Sequence, residues 1–457
     1  MSSLIACPSD SVVPASPVPA STTVNPFTRA RETKLPTIVS NAPYLPTSYI
    51  HTKLDNKVLT NEVIKEEIVQ LVNAINSSLP SPGVTNNFNV VMDRCSGWLL
   101  STSNTGDNRN SSNYKLTKLT GGITNVLYYL QYENLLNPNS PSTVTLGGSN
   151  NPGLLIRLFG GSEALINRDN ETLLFSELCF ADIGYQYFAR FGGPAPYDGS
   201  GGIPGRIEGF LVGMKPLCTE ELALEEVSML IGSSLGVMHN FGGEREQVSS
   251  LWTQIREWMD VAITNTENAG GLIPFQKGSE AFRTAPDLQW LNSKFLEWED
   301  ICRSKGYSIS FCHNDLLSGN IMSDCCCDKN GKRKLKLIDF EYGGMNYSAF
   351  DIANHFNEWS GGTDDARPDY SKKPTKAQQL TFIKSYLLSK NGGPVSDEVL
   401  LPLLEEVDFF RTVNHFYWGL WAYNQACEEG CEEFDYRYYC GERMGEGLNN
   451  LGLGDKM

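Results

Sequence analysis

Two short segments constrain the fold of this chain more than any other feature: FCHNDLLSGNIM at 311–322 and LKLIDFEYGGMNYSAFDIANHFNEW at 335–359. Each contains an apolar run of strand length. The polar stretch between them, SDCCCDKNGKRK, carries Asn330-Gly331, a strong tight-turn signal. A β-hairpin is therefore predicted, with one polar loop entering it and another leaving it. The hairpin sets His313, Asp315, Asn320 and Asp339 in order, so that Asp315 and Asn320 can occupy the two ends of one short loop while Asp339 arrives from the far strand.

That order suits phosphoryl transfer. Moving a γ-phosphoryl group from ATP needs a carboxylate to orient the attacking hydroxyl and oxygen ligands for Mg²⁺, and little covalent help. Asp315 reads as the base, Asn320 as its partner in the catalytic loop, and Asn320 with Asp339 as the metal ligands.

Upstream lie extended segments at 114–132, 153–160 and 205–213, with a helix predicted over about 168–190. This is the pattern of a small antiparallel sheet with one helix. In LTGGITNVLY, Gly121-Gly122 lets backbone amides approach a phosphate closely, and Thr124 and Asn125 add hydrogen-bond donors. A Gly-Gly between strands is by itself more often a bare hairpin turn. Arg157 sits in an otherwise apolar strand, GLLIRLFG, and needs an anionic partner. That partner is either a nucleotide phosphate or a carboxylate on the following helix, such as Glu171 or Glu177. From about residue 219 the pattern is mainly helical apart from the hairpin.

HND followed by GN, then IDFEY, FDIANHF and NEW, together resemble the choline/ethanolamine kinase family over roughly residues 110–445. Protein kinases and aminoglycoside phosphotransferases share only the sparser core of these motifs. The resemblance implies an α+β, two-lobed, eukaryotic-protein-kinase-like fold, with a small antiparallel-sheet N-lobe and a large, mainly helical C-lobe. It implies nucleotide contact for Arg157 and places Glu208-Gly209-Phe210-Leu211 at the adenine-binding hinge, where Glu208 and Leu211 would contribute chiefly backbone groups. Gly209 stands there in place of a larger polar residue and leaves the nucleotide preference open.

The same resemblance reverses the ordinary reading of NHFYWGLWAYNQA, in which tryptophans at i and i+3 belong to a core. Trp418 and Trp421, with Phe434, Tyr439, Tyr342 and Glu358, become a pocket for an alkylammonium group, which aromatic faces and carboxylates attract. His313 is then expected to hold the loop backbone, Asp351 to brace the loop, His355 to make a buried hydrogen bond, and His239 to pack. The implied activity is ATP-dependent phosphorylation of choline, placed narrowly before ethanolamine, as the first step of the CDP-choline/CDP-ethanolamine route to phospholipids, by a homodimer. Three alternatives stay open: an aminoglycoside-type kinase, which would lack the aromatic cage; a silent kinase-fold protein; and a nucleotide sensor without turnover.

Composition excludes more than it identifies. A net charge of −16, from 53 acidic and 37 basic residues, argues against a nucleic-acid partner. No run approaches the roughly 20 apolar residues of a membrane span. Twelve cysteines diluted in 457 residues, without a secretory signal, read as reduced thiols of a cytoplasmic protein. Neither Cys325–Cys327 nor the pair Cys427 and Cys431 has strong zinc spacing. Eight of the 23 prolines fall in the first fifty residues, so 1–55 is expected to be a flexible extension. A helix is predicted through Ile64, Ile68, Leu71 and Ile75. Residues 56–213 would form the N-terminal lobe, with a surface insertion at 133–152, and 214–457 the C-terminal lobe.

Overall fold

Apart from Arg157, GLLIRLF at Gly153–Phe159 offers no polar side chain to solvent, the pattern of a strand covered on both sides, and it is buried along almost its whole length. The computed structural model describes residues 44–45, 65, 68–69, 114–119, 125–132, 153–159, 168–180, 183–185, 187–191, 205–211, 213–241, 246–268, 288–324, 333–393, 395–428, 431 and 434–454. Among them, six strands form the N-lobe sheet: β1 (Tyr44–Leu45), β2 (Tyr114–Leu119), β3 (Asn125–Tyr132), β4 (Gly153–Phe159), β5 (Tyr187–Phe191) and β6 (Gly205–Gly209), in the order β1-β5-β6-β4-β3-β2. All neighbours are antiparallel except the short edge strand β1, which runs parallel to β5. β1 falls within the proline-rich first fifty-five residues, which otherwise lie outside the described residues, as do the insertion at 133–152 and the turn at Asn330-Gly331. Of the helix predicted near residue 64, the described positions Lys65, Ile68 and Val69 are helical, the last two buried.

The helix expected over 168–190 is shorter. Helix α1 spans Arg168–Phe180, after which the amides of Ile183 and Gly184 both donate to the carbonyl of Leu178 and close its end. The aromatic YFARF segment then becomes β5 instead of further helix, because its pleat pairs with β6 and its Tyr187 packs edge-on against Phe175 of α1. The strand read over 205–213 likewise divides, into β6 and β7 (Met214–Pro216).

β7 leads out of the sheet and pairs with the predicted hairpin, β9 (Ile321–Asp324) against β10 (Leu335–Leu337), to give a three-stranded unit ordered β10-β9-β7. A further pair, β8 (Ile309–Cys312) with β11 (Gly344–Tyr347), clamps both ends of the segment that carries the polar loops. Around these lie α2 (Glu225–Met238), α3 (Leu251–Asn268), α4 (Leu288–Lys305), α5 (Ser348–Glu358), α6 (Lys376–Asn391), α7 (Asp397–Glu428) and α8 (Tyr436–Asn450). Their apolar faces form the main core, from Leu222 and Ile231 through Trp298 and Phe356 to Leu448. This is the two-lobed kinase-like arrangement, with an essentially antiparallel small lobe and a helical large one. No helix among the described residues is long and apolar enough to cross a membrane.

α5 is the centre of the large lobe. All eleven of its residues are buried, although they include Asp351, Asn354, His355, Asn357 and Glu358. Buried polar groups must find partners or destabilise the fold. Those partners define the site.

Candidate active site

The loop between β8 and β9 is held from below by Asp351. Its Oδ2 accepts the amide N–H of His313 at 2.7 Å and its Oδ1 that of Asn314 at 2.7 Å. Asn314 takes a left-handed conformation, φ 67°, which asparagine tolerates better than most side chains. Its side chain is fixed between the carbonyl of Tyr342 and the amide of Asn346. His313 ties the loop to the outgoing strand: Nδ1 accepts from the amide of Asp315 at 3.3 Å, and Nε2 donates to the carbonyl of Ile338 at 2.8 Å. Burial lowers its pKa, so the ring is neutral and serves the backbone, in line with the structural part expected of it.

Asp315 is thereby aimed by its neighbours on both sides. The Nδ2 of Asn320 donates to the carbonyl of Asp315 at 2.8 Å and to its Oδ2 at 3.1 Å, which leaves the amide oxygen of Asn320 as that side chain's coordinating atom. Burial raises the Asp315 pKa well above the ordinary carboxylate range, with Glu358, Glu341 and Asp339 pushing the same way. Asp339 itself sits at φ 63°, just past β10, with its Oδ1 at 3.1 Å from Arg157 Nη1. Asp315, Asn320 and Asp339 thus converge, as their order in the chain predicts.

Arg157 pairs with neither of the helical carboxylates expected for it. Its Nε meets Glu208 Oε1 at 3.1 Å and its Nη1 meets Asp339, so one guanidinium links the sheet to the hairpin. Burial opposes its charge, but Asp339 and Glu208 outweigh that and raise its pKa. Glu171 instead holds Arg168 at 2.9 Å and Arg206 at 2.7 Å, and Arg168 also reaches Glu341 at 2.9 Å. Glu208 further accepts from Arg206 and, at 2.5 Å, from the Tyr185 hydroxyl. The Glu208 side chain is therefore engaged inside this network. Leu211 lies half-buried just beyond β6, and Asn125 is buried at the start of β3; Gly121, Gly122 and Thr124 lie outside the described residues. Carboxylate oxygens of Glu171, Asp339 and Glu341 lie within 4.8 Å of one another, a hard oxygen set of the kind Mg²⁺ takes.

On the other side of Asp315 stands an aromatic wall. Tyr342 meets Trp418 edge-on at 5.1 Å between centroids, Trp418 meets Trp421 at 5.4 Å, and Trp421 meets Tyr436 at 5.6 Å. Phe434 continues it to Tyr439 at 5.6 Å. The indole N–H of Trp418 is fixed by Asn354 Oδ1 at 2.7 Å, whereas Trp421 Nε1 and the Tyr342 hydroxyl are buried without a hydrogen-bond partner among the described residues. After burial, the Asp315 carboxylate is among the charges that raise the pKa of Tyr342, Tyr417 and Tyr439, which places all three within its electrostatic reach. Glu358 is not a free counter-charge: Arg443 Nη1 binds its Oε1 at 2.7 Å, and the same guanidinium reaches Asn414 and the Tyr439 hydroxyl.

Arg443, Trp258, Tyr417, Tyr436, Arg168 and Arg206 were not singled out by the sequence motifs, and Glu171 was expected beside Arg157 instead of Arg168 and Arg206. Trp258 lies tilted against Tyr417 with ring centroids 4.5 Å apart, yet its spacing within LWTQIREWMD reads only as a core face. Arg443 lies one helical turn after Tyr439, a signal visible once Tyr439 is placed in the pocket.

Known proteins share this chain's motifs and fold. The family model described as choline/ethanolamine kinase matches residues 116–446. A Dictyostelium discoideum protein named "probable ethanolamine kinase A" is 30% identical over 335 residues, covering 72% of this chain and 84% of the relative. An Arabidopsis thaliana protein named "probable choline kinase 1" is 28% identical over 335 residues, covering 72% and 85%. Among solved structures, a Plasmodium vivax ethanolamine kinase superposes with a TM-score of 0.59 at 21% identity, over 86% of this chain and 96% of its own. The choline kinase of Cryptosporidium parvum gives 0.57 at 21%, over 78% and 95%. At such identity these two structures speak to the fold alone.

Proposed function

Because the chain belongs to the choline/ethanolamine kinase family, we propose that it transfers the γ-phosphoryl group of ATP to the hydroxyl of a small alkanolamine, choline or ethanolamine. The observation that carries this reading is the position of Asp315, bonded by Asn320 within the loop, preceded by two residues whose amides Asp351 holds, and standing within electrostatic reach of an aromatic wall.

Asp315 accepts a hydrogen bond from the acceptor hydroxyl and takes up its proton as the oxygen attacks the phosphorus. A carboxylate whose pKa is raised by burial is a stronger base than a solvent-exposed one, and the amide of Asn320 fixes which of its oxygens is offered. Mg²⁺, when bound, neutralises the phosphate oxygens; the amide oxygen of Asn320 and the carboxylate of Asp339 would hold it. Arg157, already beside Asp339, is the cation placed to meet phosphate. The wall from Tyr342 to Tyr439 excludes water and offers ring faces to the ammonium group.

Aromatic enclosure supports choline, whose quaternary nitrogen donates no hydrogen bond, as does the engagement of Glu358 by Arg443. Names of relatives such as the Dictyostelium protein support ethanolamine. We therefore assign both as acceptors. ADP release with Mg-ATP against choline, ethanolamine and an aminoglycoside panel tests the reading: turnover with either alkanolamine and none with the panel is expected. Turnover confined to the panel, or none with any amine, overturns it.

A further inference from the structure

Behind the catalytic loop, on the side away from the aromatic wall, lies a second buried polar chain. Lys390, near the end of α6, directs Nζ at three neutral hydroxyls: Ser310 Oγ at 3.0 Å, Ser348 Oγ at 3.1 Å and the Tyr386 hydroxyl at 3.0 Å. No carboxylate among the described residues lies within ion-pair reach of it. Burial lowers its pKa, so the charge is kept at a cost.

An ammonium group only donates. The Tyr386 hydroxyl therefore accepts from Lys390, and its single proton goes to His239 Nδ1, 2.8 Å away. With Nδ1 accepting, the imidazole carries its proton on Nε2, which donates to Asp351 Oδ2 at 3.0 Å. Asp351 in turn holds the amides of His313 and Asn314, the two residues that precede Asp315. The proton order runs one way, from Lys390 through Tyr386 and His239 to Asp351: turning the Tyr386 hydroxyl would set its proton against the ammonium, and moving the His239 proton to Nδ1 would set a bare Nε2 against the carboxylate.

Close packing keeps the chain short. A Cβ at Gly236 of α2 would collide with the Tyr386 carbonyl oxygen, so the two helices meet backbone to backbone and deliver His239 to Tyr386 with ring centroids 5.3 Å apart. Lys390 also bonds Ser310 in β8, which leads into the catalytic loop, and Ser348, which opens the helix bearing Asp351.

We propose that Lys390 and Tyr386 are positioning residues for the transfer reaction: together they anchor the His239 ring through Nδ1 and so hold Asp351 and the backbone that aims Asp315. This rests on the reading of Asp315 as the group that orients the acceptor hydroxyl.

The test uses Tyr386→Phe, which removes one oxygen, and Lys390→Met, in the full chain. Two readouts are taken: steady-state kinetics, and the ¹⁵N shifts of the His239 ring, assigned by their loss in His239→Gln. Wild type should show the Nε2–H tautomer. Both variants should keep the Nε2–H tautomer but move the Nδ1 shift, whose hydrogen bond Tyr386 supplies, and lower kcat by about tenfold or more, the scale expected when a reacting group is misaimed, with KM for the amine unchanged. An Nδ1–H tautomer in wild type overturns the proposal, as does unchanged kcat in both variants. A fall in kcat that accompanies lower thermal stability with the Nδ1 shift unmoved also overturns it, leaving a packing role. Should Lys390→Met fail to fold, Tyr386→Phe decides alone. Turnover retained by Asp315→Asn would count against the base assignment and leaves the tautomer result to be judged separately.

Discussion

On the proposed reading, the ionised Asp315 serves chemistry at the expense of folding. Burial first, and then Glu358, Glu341 and Asp339, hold its pKa above that of the unfolded chain. A raised carboxyl pKa adds stability that is complete below the unfolded value and is lost as pH rises through the folded one. At neutral pH the ionised group is therefore a burden, and Asp315→Asn, which keeps an oxygen for the Asn320 amide, should relieve it. The variant is expected to lose turnover by about a hundredfold or more while gaining on the order of 1 kcal/mol in stability at pH 8. That gain should vanish near pH 3, so thermal melts at the two pH values check the sign. The acid limb of kcat/KM in wild type should fall above the ordinary carboxylate range. Trp421, in contrast, belongs to ground-state binding: Trp421→Ala should raise KM for the amine by roughly tenfold, the scale of one cation–π contact, with kcat little changed. An unaltered KM would return Trp421 to the core.

Much of this site is legible in the sequence because its members travel on contiguous elements. The hairpin signal alone brings Asp315, Asn320 and Asp339 together, and the resemblance adds the aromatic helix. What spacing does not reveal are pairings across elements: Arg157 finds Asp339 from 182 residues away and Glu208 from 51 away, and no periodicity connects such positions. The long helix expected after residue 168 fails for a related reason. β5 exists because β6 is there to pair with it, which is a tertiary fact. Contacts between helices depend on similarly distant neighbours. In IGSSLGVM, Gly232 and Gly236 look like helix-weakening residues, yet a Cβ on either would lie within 2.7 Å of a backbone oxygen of α6. Gly236→Ala should therefore reverse the usual preference of helices for alanine and destabilise by about 1–3 kcal/mol, seen as a lower denaturation midpoint with an unchanged slope. A midpoint equal to or above wild type would mean that α6 can move away at no cost.

At the scale of the whole molecule, the small lobe is joined to the hairpin through charge. Arg157 from β4 meets Asp339, and Arg168 from α1 meets Glu341, two residues further along the same segment. Among the described residues, three guanidinium groups, of Arg157, Arg168 and Arg206, share this network with four carboxylates, of Glu171, Glu208, Asp339 and Glu341, an excess of one negative charge over these members when all are ionised. Burial accordingly raises the Glu341 pKa, reinforced by Asp339 and Glu171. On the proposed reading a divalent cation held by Asp339 would supply positive charge there, at the junction between the lobes. Mg²⁺ should therefore stabilise the folded chain before any nucleotide is added, by about 1.4 kcal/mol at ten times its dissociation constant if one site is filled. Asp339→Asn removes the excess charge and a ligand together, so it should abolish the Mg²⁺-dependent rise in melting temperature while leaving the metal-free melt close to wild type or above it. A Mg²⁺ shift that survives Asp339→Asn would place the cation elsewhere and leave Asp339 as the partner of Arg157 alone.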